Sequence, residues 1–354
     1  MFMMPLHPPE RDRTSCFEED VELVKLCDRL GFEEAWVGQH HTLPWEPIPS
    51  NDVFIGYCIP VTERIRFGTG VTITPIHHPA NVATRLAMLD HMSRGRLMVG
   101  FGPGGVPADF ELFGIDPKDS GLMNLEAMDM VVDLWKAEPP FKLEGDYWTI
   151  KVENPDPSFQ MGWMLKPYQQ PHPPLAISIL KPQSMGATTA GERGYIPISA
   201  NVMSLNWVPR HWELYAEGAA KAGRPEPDRD TWRVCRSIVV GETEKDAVEF
   251  SGGVYERSYD YLLKILKAGK AQDAAKDPPT MTDDELDVDY VMKNINIVGS
   301  VDQVVERLLE VYAATGGFGT LCMMAQDSDG DPRWWKSVEL LATEVMPAVN
   351  KALG

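Results

Sequence analysis

The sequence contains no apolar run of the roughly 18–20 residues that a membrane-spanning helix needs. It also lacks, at its start, the basic, apolar and small-residue regions of a secretory signal. Cysteine is scarce: the five residues are odd in number, widely spaced and mostly within apolar segments, which is typical of reduced core thiols and not of a disulfide framework. These absences predict a cytoplasmic protein with no membrane partner.

Basic residues are also in short supply. The chain has 33 Lys and Arg against 52 Asp and Glu, a formal net charge of −19. Charge of this sign repels phosphate backbones and anionic lipid, so we expect no nucleic acid as a partner. With 354 residues, 44% of them hydrophobic, the chain is long enough for a sizeable core in one large domain or two ordinary ones.

The most informative stretch is residues 65–102. Ile65 to Val71 and Leu97 to Phe101 read as short apolar strands, and the segment from Pro79 to Met92 between them has apolar residues at helical spacing. Two strands separated in sequence by one helix of this length predict a parallel crossover unit. Glycines at the carboxyl ends of both strands allow the backbone to approach a flat ligand closely.

The same alternation extends along the whole chain. Strands are predicted to begin near residues 1, 34, 65, 97, 175, 195, 232 and 319, with helices between nearly all of them. Eight such strands predict an α/β fold, a (β/α)8 TIM barrel, formed by a single domain over residues 1–354. An open doubly wound sheet is the alternative, although it would usually have fewer strands.

Two segments interrupt the alternation, one after the fourth strand and one after the seventh. Residues 138–173 are rich in proline and carry too many large apolar groups to stay solvated, whereas residues 268–290 are acidic and predict a solvated surface insertion. Three further expectations are tested below: a first strand within Met1 to Leu6, a seventh strand from Trp232 to Val240, and one long helix from Glu244 to Lys267.

Carboxylates are nearly absent among the polar residues that follow the predicted strands. This argues against glycoside hydrolysis, which needs two facing acids, and against a dedicated cage for a divalent metal. Two adjacent histidine pairs, at 40/41 and 77/78, raise the question of a metal site. Neighbours on a strand point to opposite faces and no third ligand is suitably spaced, so we expect no metal. A positioned histidine at 40 or 41 that donates a hydrogen bond or exchanges a proton fits better.

Two loops suggest a ligand with a ring and a phosphate. Gly100 to Gly105 matches the spacing G-x-G-x-x-G, but prolines follow at once and the next helix is expected only near residue 119, so we predict no nicotinamide-binding unit. Lys181 to Gly186 ends a strand and opens a helix, and its hydroxyl, free amides and helix dipole could hold a phosphate.

Six motifs, in order along the chain, make it similar to the bacterial luciferase-like flavin monooxygenases. They are Ala35-Trp36-Val37-Gly38-Gln39-His40-His41, Arg66-Phe67-Gly68-Thr69-Gly70-Val71, Leu89-Asp90-His91-Met92-Ser93-Arg94-Gly95-Arg96, Ala190-Gly191-Glu192-Arg193-Gly194, Asn296-Ile297-Val298-Gly299-Ser300 and Ala314-Thr315-Gly316-Gly317-Phe318-Gly319. Gly102-Pro103-Gly104, Leu165 to Pro171 and Asp331-Pro332 with Trp335 resemble the limonene and diketocamphane monooxygenase branch of that family.

The resemblance implies a (β/α)8 barrel that takes reduced FMN from a separate flavin reductase. Oxygen then adds to the flavin C4a, and the peroxyflavin oxygenates a small apolar substrate, terpenoid or similar to a cyclic ketone. His40 would be the catalytic residue, and the family has a non-prolyl cis peptide at the position of Gly70–Val71. The residues that would contact the cofactor are Gln39, Thr69, Gly70, Val71, Gly102, Ser178, Gln183, Ser184, Met185 and Ser199.

The chain departs from the family pattern at two positions. Most relatives have Glu where this sequence has Gln39, and many have Arg where it has Gly121, which removes a charge near the flavin and one possible phosphate ligand. Two alternatives therefore stay open: an oxidoreductase that uses the deazaflavin F420, whose polyanionic tail suits an acidic chain poorly, and a non-catalytic flavin-binding subunit. The family also implies a homodimer or heterodimer, commonly formed through the second and third helices.

Overall fold

The computed structural model describes residues 1–4 and 6–354. Its strands, numbered along the chain, are β1 (Phe2–Met3), β2 (Glu34–Val37), β3 (Arg66–Ile73), β4 (Leu97–Gly102), β5 (Phe141–Glu144), β6 (Thr149–Val152), β7 (Leu175–Ile179), β8 (Ile196–Ser199), β9 (Arg233–Arg236), β10 (Ile238–Gly241), β11 (Ile297–Ser300) and β12 (Thr320–Met323). Eight of them form one sheet in the order β1-β2-β3-β4-β7-β8-β9-β12, with parallel pairing throughout.

The sheet closes on itself between β12 and β1. A parallel bridge joins Phe2 to Met324, and the backbone N–H of Ala325 donates to the carbonyl of Phe2 at 2.8 Å. The predicted TIM barrel is thus confirmed, and its strands are the eight expected from the sequence. Pro5, which falls within the predicted first strand, lies outside the described residues.

Helices lie between the strands. They are α1 (Arg13–Leu30), α2 (Asn51–Cys58), α3 (Pro79–Met92), α4 (Pro107–Phe113), α5 (Ser120–Lys136), α6 (Met185–Arg193), α7 (Val208–Lys221), α8 (Glu244–Ser251), α9 (Val254–Ala268), α10 (Val288–Asn294), α11 (Val301–Thr315), α12 (Pro332–Leu340) and α13 (Met346–Leu353), with a π-helical turn at Leu341–Val345 and short 3-10 helices at Ile59–Val61, Thr74–Ile76, Arg229–Thr231 and Gln272–Ala275. Local signals set several boundaries: Asp12 caps α1 by accepting from the Ser15 N–H, and Gly31 at φ 87° ends it.

The barrel interior is filled by a compact apolar cluster. Its members are Phe2, Trp36, Met98, Ala176, Ile198, Cys235, Cys322 and Met324. Trp36 is the largest, and it determines what its neighbour on β3 can be: a Cβ on Gly68 would lie 2.2 Å from the Trp36 ring. That position therefore has to be glycine because the indole occupies the space of a side chain. A filled interior leaves the carboxyl ends of the strands as the place for a ligand.

Two predicted elements are each divided in the structure. The seventh strand is not continuous from 232 to 240, because β9 belongs to the barrel while β10 leaves it after Ser237 and pairs in parallel with β11. The Ser237 N–H donates to the Asn201 side chain at 3.1 Å and so leaves the barrel ladder. The long helix expected over 244–267 is broken into α8 and α9 at Gly252-Gly253, where Gly253 has φ 68°.

The two interruptions lie where the sequence places them, and each is partly buried and partly exposed: in the first, Ile150 is buried and Trp148 and Met164 pack against the core. The first contains the antiparallel hairpin β5–β6, and it leaves five large apolar side chains exposed: Phe159, Met161, Trp163, Leu165 and Tyr168. The second is not wholly solvated, because Ala274, Ala275 and Leu286 are buried in the main core. Among the described residues, no helix is long and apolar enough to cross a membrane.

Candidate active site

The candidate site lies at the carboxyl ends of four neighbouring barrel strands. In barrel order these are β2, β3, β4 and β7, which are followed or ended by Gln39 and His40, Thr69 to Val71, Gly102, and Ser178 to Met185. Parallel strands have all their carboxyl ends at one end of the barrel, so these predicted residues open onto one edge of the molecule. The tertiary structure brings them together although 146 sequence positions separate Gln39 from Met185.

The other half of the barrel mouth is covered by α9. Tyr255 and Tyr259 of this helix are fully buried, and the Tyr259 hydroxyl accepts hydrogen bonds from the side chains of Asn201 at 3.1 Å and Gln326 at 3.4 Å. Asn201 follows β8 and Gln326 follows β12. Helix α9 thus packs over the ends of β8 and β12, and through Tyr261 it also reaches Glu46 in the loop after β2.

His40 lies between two buried carboxylates. Its Nδ1 is 3.4 Å from Asp109 Oδ2, and its Nε2 is 3.4 Å from Glu46 Oε2, with 19% of the His40 side chain exposed. Burial by itself lowers the pKa of His40, but the charges of Glu46 and Asp109 outweigh it and raise that pKa above its ordinary value. The two carboxylates therefore favour the charged, proton-donating form of the imidazole.

Asp109 fixes the loop that carries His40. Its Oδ1 accepts from the Thr42 hydroxyl at 2.6 Å and from the Thr42 and His41 backbone N–H groups at 2.8 and 3.2 Å. Burial raises the pKa of Asp109, but the His40 and Thr42 hydrogen bonds more than offset it and lower the pKa to about 2. The sequence did not reveal Asp109 as a site residue, because no helix is predicted between the glycine loop at 100–105 and residue 119. Pro107 at the first position of α4 and Gly114 at φ 68° after it are the signals that could have revealed it.

Gln39 joins two other histidines at the same edge. Its side-chain nitrogen lies 3.1 Å from His41 Nε2 and 3.0 Å from His77 Nε2, while its oxygen accepts from the Ile73 N–H at 3.2 Å. Burial lowers the pKa of both histidines, that of His77 to about 4. Both rings are therefore neutral, and their Nε2 atoms share the two amide hydrogens of Gln39 with the Pro49 carbonyl, which lies 3.0 Å from the same nitrogen.

The β3–β4 edge is shaped by backbone and packing. The peptide between Gly70 and Val71 is cis, which confirms the expectation drawn from the resemblance. A Cβ on Gly102 would lie 2.5 Å from Val71 Cγ2, so glycine is required there by the Val71 side chain. The Thr69 hydroxyl is fully buried and bridges the Gly100 carbonyl and N–H at 2.9 Å, so only the backbone of Thr69 is free to face a ligand.

The β7 edge carries the predicted phosphate loop. Ser184 caps α6 by accepting from the Gly186 N–H at 3.2 Å, which leaves the positive end of that helix at the mouth. Met185 is 81% exposed, and Gln183 is exposed as well. Met185 can therefore contribute its backbone N–H, and the side chains of Gln183 and the half-buried Ser178 make no hydrogen bond to the described residues.

Ser199 is set back from the mouth. It is fully buried; its hydroxyl lies 2.8 Å from His211 Nδ1 and accepts from Trp232 Nε1–H at 2.9 Å. His211 Nε2 lies 3.0 Å from the Lys181 carbonyl, and burial lowers the pKa of His211 to about 4. The neutral ring thus ties Ser199 to the loop that precedes α6. This arrangement favours a positioning role for Ser199 over the direct ring contact that the sequence predicted.

A second charged cluster lies at the closure of the barrel. His7 Nε2 is 3.1 Å from both oxygens of Asp20, its Nδ1 contacts Asp327, and Arg11 contacts the other oxygen of Asp327. Burial lowers the pKa of His7, but hydrogen bonds to Asp20 and Asp327 raise it to about 9. Cys16 lies close enough to complete a set of metal-type ligands. The ligand atoms of His7 and Asp327 already contact each other and Arg11. We therefore interpret the cluster as an ion-pair network and not as a metal site.

The family model for luciferase-like monooxygenases matches residues 1–317. The chain belongs to this family. Over 99% of the chain it is 33% identical to the 4-hydroxyprotoasukamycin monooxygenase of Streptomyces nodosus subsp. asukaensis, covering 92% of that protein. It is 30% identical over its whole length to the limonene 1,2-monooxygenase of Rhodococcus erythropolis, covering 87% of that protein.

The solved structures place this luciferase-like monooxygenase in the same branch. The oxygenating constituent of 3,6-diketocamphane monooxygenase from Pseudomonas putida, a type II Baeyer-Villiger monooxygenase in complex with FMN, superposes with a TM-score of 0.89 at 28% identity. The match covers 99% of this chain and 97% of that one. The resemblance to the limonene and diketocamphane branch, drawn from motifs alone, is confirmed.

Proposed function

We propose that this luciferase-like monooxygenase takes reduced FMN from a separate flavin reductase and uses O2 to oxygenate a small apolar substrate, terpenoid or similar to a cyclic ketone. The observation that carries the proposal is the position of His40. It lies between two carboxylates at the end of β2, one of four neighbouring strand ends that include the predicted phosphate loop after β7. The similarity to a diketocamphane monooxygenase in complex with FMN supports FMN as the cofactor.

The residues at the mouth fit a flavin. The helix end at Ser184 suits a phosphate, and the strand ends from β2 to β7 provide a row of backbone and small side chains for a flat ring. The hydroxyl of Thr72, near the end of β3, is buried without a hydrogen-bond partner among the described residues, and such a group is stabilised by a ligand that completes it. A Cβ on Gly121 would meet no atom within 4 Å. The glycine therefore leaves the neighbouring packing unchanged, and its only effect is the loss of one positive charge that could contact the phosphate.

Each residue has a defined task in this proposal. Bound reduced FMN supplies the electrons that activate O2. His40, fixed by Asp109 at Nδ1, holds a proton on Nε2 and can donate it where negative charge develops. Ser184 and the first N–H groups of α6 hold the phosphate. Because the chain shows no nicotinamide fingerprint, the electrons have to arrive on the flavin from a reductase.

An apolar rim supports the substrate class. Large apolar side chains are exposed on the elements that follow β4 and β7: Leu112, Phe113, Leu122 and Met185. Phe113 packs its ring edge against His41 with 4.8 Å between the ring centroids. Apolar side chains at the mouth of a polar site bind a substrate through its hydrocarbon surface. This is the composition expected for a terpene-sized molecule.

A homodimer through α2 and α3 is part of the proposal. The exposed apolar residues of these helices are Val53, Tyr57, Met88 and Met92. The patch continues onto the first interruption, because Tyr168 packs against His91 of α3 with 5.7 Å between ring centroids. An exposed apolar surface of this extent is unusual for a monomer. Its occupant in this proposal is the same face of a second copy, which a twofold axis would place on it.

The decisive experiment combines the protein with photoreduced FMN, O2 and either limonene or a bicyclic ketone. We expect oxygenated product from the wild type and a loss of about 10²-fold or more in His40→Ala, the range for removal of an acid–base group. His172→Ala, a histidine on the first interruption, is the matched control and should retain activity. Turnover with F420 in place of FMN would contradict the proposal, as would FMN binding without oxygenation of either substrate class.

A further inference from the structure

Glu46 is a buried carboxylate with one oxygen unsatisfied. The residue is only 3% exposed. Its Oε1 accepts from the Tyr261 hydroxyl at 3.0 Å, whereas its Oε2 has no hydrogen-bond partner among the described residues. A buried carboxylate in this situation is costly unless a positive charge lies close by. The nearest group able to carry one is the His40 imidazole, whose Nε2 lies 3.4 Å from Oε2.

The surroundings of His40 contain two acids and no competing base. Asp109 of α4 faces Nδ1, Glu46 faces Nε2 from the loop after β2, and His41 adjoins on the chain. Within the described part of the chain, no lysine or arginine pairs with Asp109 or Glu46. Arg257 of α9 lies over the Trp45 ring and pairs with Glu10 instead. Two carboxylates therefore converge on a single imidazole, the one cationic partner that the described residues offer them.

We infer that Glu46 is a positioning residue that keeps His40 protonated and its Nε2–H directed along the open side of the mouth. The inference rests on the proposed function for the role of His40 and adds to it the group that sets the charge state of that histidine. Asp109 alone would orient the ring through Nδ1. Glu46 supplies the second charge, and because its geometry with Nε2 is not that of a hydrogen bond, the Nε2 proton stays free for transfer.

A purely structural role for Glu46 makes a different prediction. The Tyr261 ring stacks on Trp45 with centroids 5.2 Å apart, so the Tyr261–Glu46 hydrogen bond also ties α9 to the loop after β2. If that tie were the function of Glu46, Tyr261→Phe would reproduce the effect of Glu46→Gln. If the charge is the function, the two variants differ, because only Glu46→Gln removes it.

The test follows the His40 ring by NMR in the FMN-free protein, with His40→Gln to assign its signal. We expect Glu46→Gln to lower the titration midpoint of His40 by about one pH unit or more, since loss of a nearby opposite charge disfavours the charged form. Tyr261→Phe should leave the midpoint unchanged. Glu46→Asp, which retains the charge, should keep most of the shift and serves as the second variant if Gln disturbs folding.

The pH profile of FMN-dependent oxygenation provides the second readout. In Glu46→Gln, the part of the pH–activity curve that depends on His40 protonation should move to lower pH by as much as the NMR midpoint does. Tyr261→Phe should keep the wild-type curve. An unchanged His40 midpoint in Glu46→Gln, or an equal change in Tyr261→Phe, would overturn the inference. The NMR titration needs neither substrate nor flavin. A shifted midpoint in a protein without oxygenase activity would therefore support the role of Glu46 while refuting the proposed function.

Discussion

At the scale of single residues, the three histidines at the mouth differ in which effect decides the direction of their pKa. Burial lowers the pKa of His41 and His77, whereas the two carboxylates beside His40 outweigh burial and raise its pKa. The three rings lie at the same edge of the barrel, and two of them adjoin in sequence. The sequence predicted a functional histidine at 40 or 41, but the choice between the two required the positions of Asp109 and Glu46.

Gln39→Glu should raise the pKa of the two neutral rings. The new carboxylate would lie about 3 Å from both Nε2 atoms, and an opposite charge at that distance favours the protonated form. We expect the pKa of His77 to rise from about 4 by roughly two units or more, and that of His41 to rise with it. Histidine NMR titration measures both, with Gln39→Asn as the uncharged control. Unaltered titration of His77 would show that the amide does not face the rings.

At the scale of secondary structure, the sequence predicted the eight barrel strands and most helices because their apolar periodicity and caps are local. It failed where a break depends on a distant partner. Strand β10 leaves the barrel because Asn201, 36 residues away in the chain, takes the Ser237 N–H. Helix α4 was missed although its proline and glycine signals are present, because seven residues are too few for a periodic pattern.

Glycine is required at some positions after the strands and not at others, and a pair of substitutions can distinguish the two cases. In Gly102→Ala the new Cβ would meet Val71 Cγ2 at 2.5 Å, and we expect a loss of about 1–3 kcal/mol in the free energy of unfolding, as for overpacking. Gly105→Ala, three residues later, meets nothing within 4 Å, and its effect should stay within about 0.5 kcal/mol. Urea unfolding compares the two. Equal stability of both variants would mean that β3 and β4 are not packed as described.

At the scale of the whole molecule, the His7 cluster joins the beginning of the chain to its last barrel strand. Asp20 belongs to α1, Asp327 follows β12, and Glu19 accepts from the Ser328 N–H at 3.0 Å. The strands β1 and β12 share only a short bridge. Side-chain ion pairs therefore contribute to holding this junction closed, a role that the ladder hydrogen bonds have elsewhere in the barrel.

This junction should weaken in alkaline solution. The folded-state pKa of His7, about 9, lies above its ordinary value of 6.5, so its contribution is complete below pH 6.5 and is lost as pH rises through 9. The shift corresponds to up to roughly 3 kcal/mol. In His7→Asn the unfolding free energy should be lower at pH 6, and the difference from the wild type should shrink by pH 9.5. A difference that stays constant over this range would show that His7 is not charged in the folded protein.

The proposed homodimer is testable at the same scale. Light scattering coupled to size exclusion should give twice the chain mass of 39.6 kDa for the wild type. Tyr57→Glu with Met88→Glu should give the single-chain mass, because each places a charge in the apolar face of α2 and α3. Val248→Glu, equally exposed but on α8, is the matched control and should remain dimeric. A monomeric wild type would refute this part of the proposal.

The sequence by itself determined the barrel, its eight strands and the family, and it predicted the edge at which a ligand would bind. The fold and the family can be predicted because apolar periodicity is local and because the family motifs are continuous stretches of sequence. Only the tertiary structure decided which groups act together there. Asp109 of α4 contacts His40 from a separate segment, Glu46 contacts it from farther along the same loop, and Tyr261 of α9 donates to Glu46. The hydroxyl of Thr69, a residue that the family resemblance assigned to the cofactor, is engaged within the sheet. The physical reason is that hydrogen bonds and charges act over a few ångströms of space, a distance on which the order of residues carries no information.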